Sequence, residues 1–151
     1  HGRAADYNMP LLTLDGQETS LQEFKGKTIF MNLWATWCPP CIAEMPNIQK
    51  LYDDVDDENI VFVMASLDEE PEKVRKFINR KEFTFPVYWI SGPKPAVYSS
   101  SVVPTTYVIS PKGHIVMKHE GMAKYNTDDF KNFLKTVTSG ADSLKKPVLS
   151  P

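Results

Sequence analysis

Two nearly unbroken apolar runs, "KTIFMNLW" (27–34) and "NIVFVMAS" (59–66), flank a segment with helical periodicity. A strand that is apolar at consecutive positions is one covered on both faces. Between the runs, Ile42, Met45, Ile48, Leu51, Tyr52 and Val55 recur at the spacing of one helix face. A strand–helix–strand unit returns to its sheet by a crossover, which makes the two strands parallel. That unit puts the chain in the α/β class.

The remaining elements build on it. "LLTLDGQETSL" sets Asp15-Gly16 between two short extended runs, a hairpin signal. In "EPEKVRKFINRK", Pro71 stands where a helix can begin, with Val74, Phe77 and Ile78 on one face. "FTFPVYWI" (83–90) reads as a strand that Pro86 places toward a sheet edge. A short helix is expected over 96–100. "PTTYVIS", the turn "PKG" and "HIVMKHE" form an antiparallel hairpin. The last helix carries Phe130, Phe133, Leu134 and Val137 in one stripe, with Asn126 or Thr127 as its cap. The expected organisation is a flexible segment over 1–10, one domain over 11–139 and a mobile tail over 140–151.

The 151 residues suffice for one domain with its own core, and 42% hydrophobic with 24% charged residues is the balance of a globule. A net charge of -2 offers no electrostatic case for nucleic acid or an anionic membrane surface. The apolar runs are too short to span a bilayer. A chain that opens "HGRAADYN" is expected to be processed, with any signal peptide or lipid anchor already removed.

The only two cysteines, Cys38 and Cys41, sit in "WATWCPPCIAEMP" (34–46), where the first apolar strand gives way to the helix. A helix N-terminus offers partial positive charge and free N–H groups, which stabilise a thiolate. Three residues apart in a helix start, the two sulfurs can bond to one another. An exposed thiolate backed by a more buried thiol is the minimum equipment for disulfide exchange. Pro39 and Pro40 are tolerated in the first turn, but each removes a donor that could have faced the sulfur. No His, Lys or Arg lies between the cysteines. The expectation is a moderately acidic thiol and a dithiol poised as a reductant.

Other readings of the pair remain open. A structural zinc site wants four ligands, and no second Cys-x-x-Cys exists. His114 and His119, an odd number of residues apart on one strand, would face opposite sides. Copper(I) needs fewer ligands and accepts thiolates. Glu44 shares a helical stripe with Cys41, Ile48, Leu51 and Val55. It is either a snorkelling surface carboxylate or a buried one with a raised pKa that relays protons to and from Cys41. Asn32, a polar interruption in the first strand, reads as a hydrogen-bonded core amide.

The 34–46 segment resembles the active-site stretch of TlpA/ResA-like extracytoplasmic thiol–disulfide oxidoreductases of the thioredoxin superfamily. The resemblance extends over roughly 11–137 and includes Trp34 and Trp37 before the first cysteine, Pro46 in the helix, and "VVPTTYVISPKGHIV". It implies a thioredoxin fold: a central mixed β-sheet flanked by helices, with an N-terminal hairpin and an inserted helix–strand unit over 71–90. It implies Cys38 as attacking thiolate, Cys41 as resolving thiol, a cis Pro104 facing them, and Val103 offering backbone hydrogen bonds to substrate. Trp37 would stand at the rim that receives a partner, and Glu44 matches the family's glutamate after the second cysteine. No cofactor or metal is implied. The implied partners are a disulfide-containing protein substrate, such as apocytochrome c or copper-site cysteines, and a membrane electron donor that re-reduces a monomer in the periplasm or cell envelope. Two features depart from the pattern: Asn32 stands where ordinary thioredoxins carry a buried acid, and the Pro-Pro filling is unusual. Two alternatives compete. A thiol peroxidase usually carries Thr three residues before its reactive cysteine, where this chain has Ala35. A copper(I)-binding or redox-sensing module would use the same dithiol without turnover.

Overall fold

The structure, a computed structural model, describes residues 3–141 and 145–151. Its centre is the strand Thr28–Trp34 (β4), buried at every position. It pairs in parallel with Ile60–Ser66 (β5), from Thr28 opposite Ile60 to Trp34 opposite Ser66. On its other side it pairs antiparallel with Thr105–Ile109 (β7). Alternation along β4 feeds two cores: Phe30 and Trp34 join one cluster, Ile29, Met31 and Leu33 the other.

The helices Pro39–Val55 (α1), Pro71–Asn79 (α2) and Asp128–Thr138 (α3) all bury their apolar stripes in the first cluster. Tyr7, Met9, Leu21 and Tyr98, from the N-terminal stretch and two 3-10 turns (Leu21–Phe24 and Ala96–Tyr98), cover the opposite face. Thr127 is the cap of α3, its hydroxyl accepting from the Phe130 amide at 3.1 Å. The eight strands also include Arg3–Ala4 (β1), Pro10–Thr13 (β2), Glu18–Ser20 (β3), Val87–Ile90 (β6) and His114–Glu120 (β8). Their order is β1-β8-β7-β4-β5-β6-β2-β3, a mixed sheet of the α/β class.

Four placements differ from the sequence reading. The 83–90 strand is internal: β6 lies between β5 and β2. It begins only after Pro86, so the proline removes no ladder donor, and its carbonyl accepts from the Met64 amide. Within the expected flexible segment over 1–10, of which 1–2 lie outside the described residues, 3–10 are built into the fold, with Arg3 and Ala4 paired to Ile115 and His114, and Tyr7 and Met9 buried. A β-bulge in β8 breaks two-residue alternation: Ile115 joins one cluster and Met117 the other. The odd spacing of His114 and His119 therefore does not put them on opposite faces. The tail also makes contacts: Ser150 accepts from the Lys124 amide, Lys146 Nζ donates to the Lys118 carbonyl, and Leu149 packs on the helix-side core. Within that tail, 142–144 lie outside the described residues.

Phe30 is fully buried, with the rings of Phe62, Tyr125 and Phe130 at centroid distances of 5.0, 5.2 and 5.9 Å. Phe30→Ala is expected to lower the stability of the oxidised protein by about 3–5 kcal/mol, measured by chemical denaturation.

Candidate active site

The end of β4 leads into a tight turn closed by the Cys38 amide donating to the Ala35 carbonyl at 3.2 Å. Cys38 is the N-cap of α1, with extended backbone, and its Sγ accepts from the Cys41 amide at 3.3 Å. Pro39 and Pro40 fill the first helical positions without N–H groups. Cys41 therefore supplies the first amide of the helix that can reach the sulfur. The two cysteines form a disulfide, their Cα atoms 5.3 Å apart. Cys38 retains 4% of its surface and Cys41 none. The order of accessibility is the one exchange requires, but the expected exposed sulfur is a nearly covered one in this oxidised state. Chain packed around the helix start covers it.

Part of that cover is the loop before β7. The Val103–Pro104 peptide is cis, and the Val103 carbonyl oxygen lies 3.7 Å from Cys38 Sγ. The Gly121 amide donates to the Pro104 carbonyl at 2.8 Å, which brings Met122 beside it. Trp37 (63% exposed), Val102 (38%) and Met122 (36%) are the large apolar side chains left open around this point. Such groups make a rim fit for apolar contact with a partner.

Glu44 is the buried carboxylate of the two readings, with only 2% of its surface open. It lies one turn beyond Cys41 on α1. Its Oε2 accepts from Asn32 Nδ2 at 2.8 Å and its Oε1 from the Ala123 amide at 3.1 Å. Burial pushes its pKa up to about 7, with the two hydrogen bonds pulling the other way. Asn32 also donates to Thr106 Oγ1 at 2.9 Å, while its Oδ1 has no protein partner. The core-amide reading of Asn32 thus holds for its nitrogen only. Its neighbours in the sheet explain the rest, because β5 and β7 present Met64 and Thr106 on either side.

One group was invisible in the sequence. Asp68, just past β5 and nearly buried, accepts from the Thr36 amide at 3.0 Å, Thr36 Oγ1 at 2.5 Å and Ser66 Oγ at 2.6 Å. In "ASLDEE" it looks like the first of an acidic surface run. Only the parallel register, which ends with Trp34 opposite Ser66, brings it to the turn before Cys38. Among the described residues, no three His, Cys, Asp or Glu side chains are grouped to hold a metal ion.

A redox pair at a helix start, one cysteine nearly covered and the other fully buried, backed by a buried carboxyl, can exchange disulfides and move a proton. Comparison with known proteins agrees. Residues 2–135 match the Redoxin family. The thiol-disulfide oxidoreductase ResA of Halalkalibacterium halodurans is 32% identical over 130 residues, covering 85% of this chain and 74% of that protein. The thioredoxin-like protein YneN of Bacillus subtilis is 37% identical over 121 residues, covering 79% and 70%. Among solved structures, the thioredoxin domain of a thiol-disulfide oxidoreductase from Bacteroides vulgatus superposes with a TM-score of 0.72 at 25% identity, covering 89% and 95% of the two chains.

The chain belongs to the Redoxin family and has the thioredoxin fold. It is a ResA-like thiol–disulfide oxidoreductase.

The raised pKa of Glu44 has a thermodynamic sign. The native protein holds a proton that the unfolded chain gives up near the ordinary value of 4.5. The stability this gives is complete below that value and is lost as pH rises through about 7. Glu44→Gln should abolish this dependence. From about pH 4 to pH 8, the stability of the oxidised wild type relative to the variant should fall by roughly 3 kcal/mol, read from denaturation curves.

Proposed function

We propose that this protein reduces disulfides in partner proteins, with Cys38 as the attacking thiolate and Cys41 as the resolving thiol. The observation that carries this reading is the unequal cover of the two cysteines, Cys38 4% open and Cys41 fully buried. A substrate disulfide can reach only the first.

The Cys38 thiolate attacks one substrate sulfur, the substrate S–S bond breaks, and a mixed disulfide and a substrate thiolate result. The Cys41 thiol then gives its proton to Glu44, whose pKa of about 7 lets it accept and release protons near neutrality. The Cys41 thiolate attacks Cys38 Sγ, forms the internal disulfide and expels the second substrate sulfur as a thiolate. The substrate gains two electrons and the dithiol loses them. Trp37 and the Val103–Pro104 segment form the substrate surface. Their support is the exposure of the Trp37 indole and the Val103 carbonyl close to Cys38 Sγ. An extended substrate segment could hydrogen-bond the Val103 backbone as an added strand does.

The pair must be reduced again after each cycle. By resemblance, a membrane electron donor supplies the electrons outside the cytoplasm, in the periplasm or cell envelope. By the same resemblance the enzyme is a monomer, and its substrates are cysteines of apocytochrome c or of copper sites. No helix among the described residues is long and apolar enough to cross a membrane.

Cys41→Ser, expressed in the native cell envelope, should accumulate a mixed disulfide between Cys38 and a partner protein. The adduct should be visible as a reducible band on a non-reducing gel and absent from Cys38→Ser. No adduct with Cys41→Ser would refute the scheme.

A further inference from the structure

The turn that carries Trp37 and Cys38 is short, and its ends are fixed by β4 and by the helix. Its middle is fixed by Asp68. Both the backbone N–H and the hydroxyl of Thr36 donate to that one carboxylate, at 3.0 and 2.5 Å. Asp68 is itself held on three sides. Ser66 Oγ donates to it at 2.6 Å, its own amide donates back to Ser66 Oγ at 2.9 Å, and Trp89 Nε1 donates to its carbonyl at 2.6 Å. The Leu67 amide continues the β-ladder by donating to the Trp34 carbonyl at 2.8 Å. The turn is thereby tied to the end of β5 through one carboxylate only 4% exposed.

A buried carboxylate that accepts three hydrogen bonds is a costly group to keep for shape alone. Two of its three bonds come from Thr36, the residue next to Trp37, which projects with most of its surface in water. A side chain that meets a partner gains affinity when it is fixed beforehand. A small disulfide has little surface with which to contact the rim, whereas a polypeptide disulfide must lie across it.

We propose that Asp68 is a positioning residue for reaction with protein disulfides: through Thr36 it fixes the turn that presents Trp37 beside Cys38. The inference rests on the reading of Trp37 as part of the substrate surface. It assigns Asp68 to selection between polypeptide and small disulfides, a role distinct from the electron transfer itself.

The test compares second-order rate constants of the fully reduced chain with two probes, a disulfide-bonded peptide and oxidised glutathione. For Thr36→Val and Asp68→Asn, the ratio of the peptide rate to the glutathione rate should fall about tenfold, the effect of losing one hydrogen bond to a charged group. Thr36→Ser, which keeps the hydroxyl, should restore the ratio, and the double variant Thr36→Val/Asp68→Asn should lose no more than the larger single loss. Should Asp68→Asn not fold, Thr36→Val with its serine rescue carries the test alone. An unchanged ratio, or both probes slowed equally, overturns the proposal. Trp37→Ala separates the two levels. If it leaves the ratio unchanged, the rim reading fails and this inference with it; if it lowers the ratio while Thr36→Val and Asp68→Asn do not, only the role of Asp68 fails.

Discussion

The sulfur of Cys38 receives one backbone N–H, from Cys41. That single bond at a helix start is where fold and chemistry meet. The helix begins there because β4 ends there, and β4 ends there because its two neighbours define a sheet whose crossover must run over one face. Pro39 and Pro40 strip the other early donors from the sulfur. An anion at this point gains the helix dipole and one hydrogen bond, and it is partly denied water. Strong dithiol oxidants owe their potential to a heavily stabilised thiolate in the reduced form. A site with one amide donor to its sulfur is expected not to be one.

The polar cluster below the cysteines follows the same logic. Glu44 is buried, and each of its oxygens takes a hydrogen bond, one from Asn32 and one from Ala123. Burial wins over these bonds, so the carboxyl titrates near neutrality instead of near its ordinary value. A lysine or arginine in place of Asn32 would have held it ionised and useless as a proton acceptor that also releases. Tyr125 packs nearby, its hydroxyl pushed up by burial and by the charge of Glu44. His119 meets the Tyr125 ring edge-on, and burial with the charge of Lys146 holds it below its usual value. The neighbourhood therefore favours neutral groups around a carboxyl whose own pKa is raised to about 7.

Much of this was legible in order of residues. The unbroken apolar character of β4 and β5 and the helical stripe of α1 gave the central crossover, because burial on both faces leaves a local signature. The position of the cysteines at the strand–helix junction followed. What could not be read was whatever depended on pairing between distant segments. The internal place of β6 arises from its pairing with β2. The ordering of Tyr7 and Met9 depends on a face of the sheet that the three helices leave uncovered. The bulge in β8 defeats a parity rule that assumes a regular ladder. Glu44 was ambiguous because a stripe position fixes a direction but not what stands in it: Asn32 and Ala123 lie far off in sequence. Asp68 was missed for the same reason.

The proposed reduction of partner disulfides needs a dithiol whose reduced form is not specially stabilised, and the equilibrium reduction potential against a glutathione or dithiothreitol couple measures this most directly. A value more negative than about -180 mV is predicted, in the range of reducing and isomerising dithiols. A value near about -120 mV, typical of a strong oxidant, would contradict it.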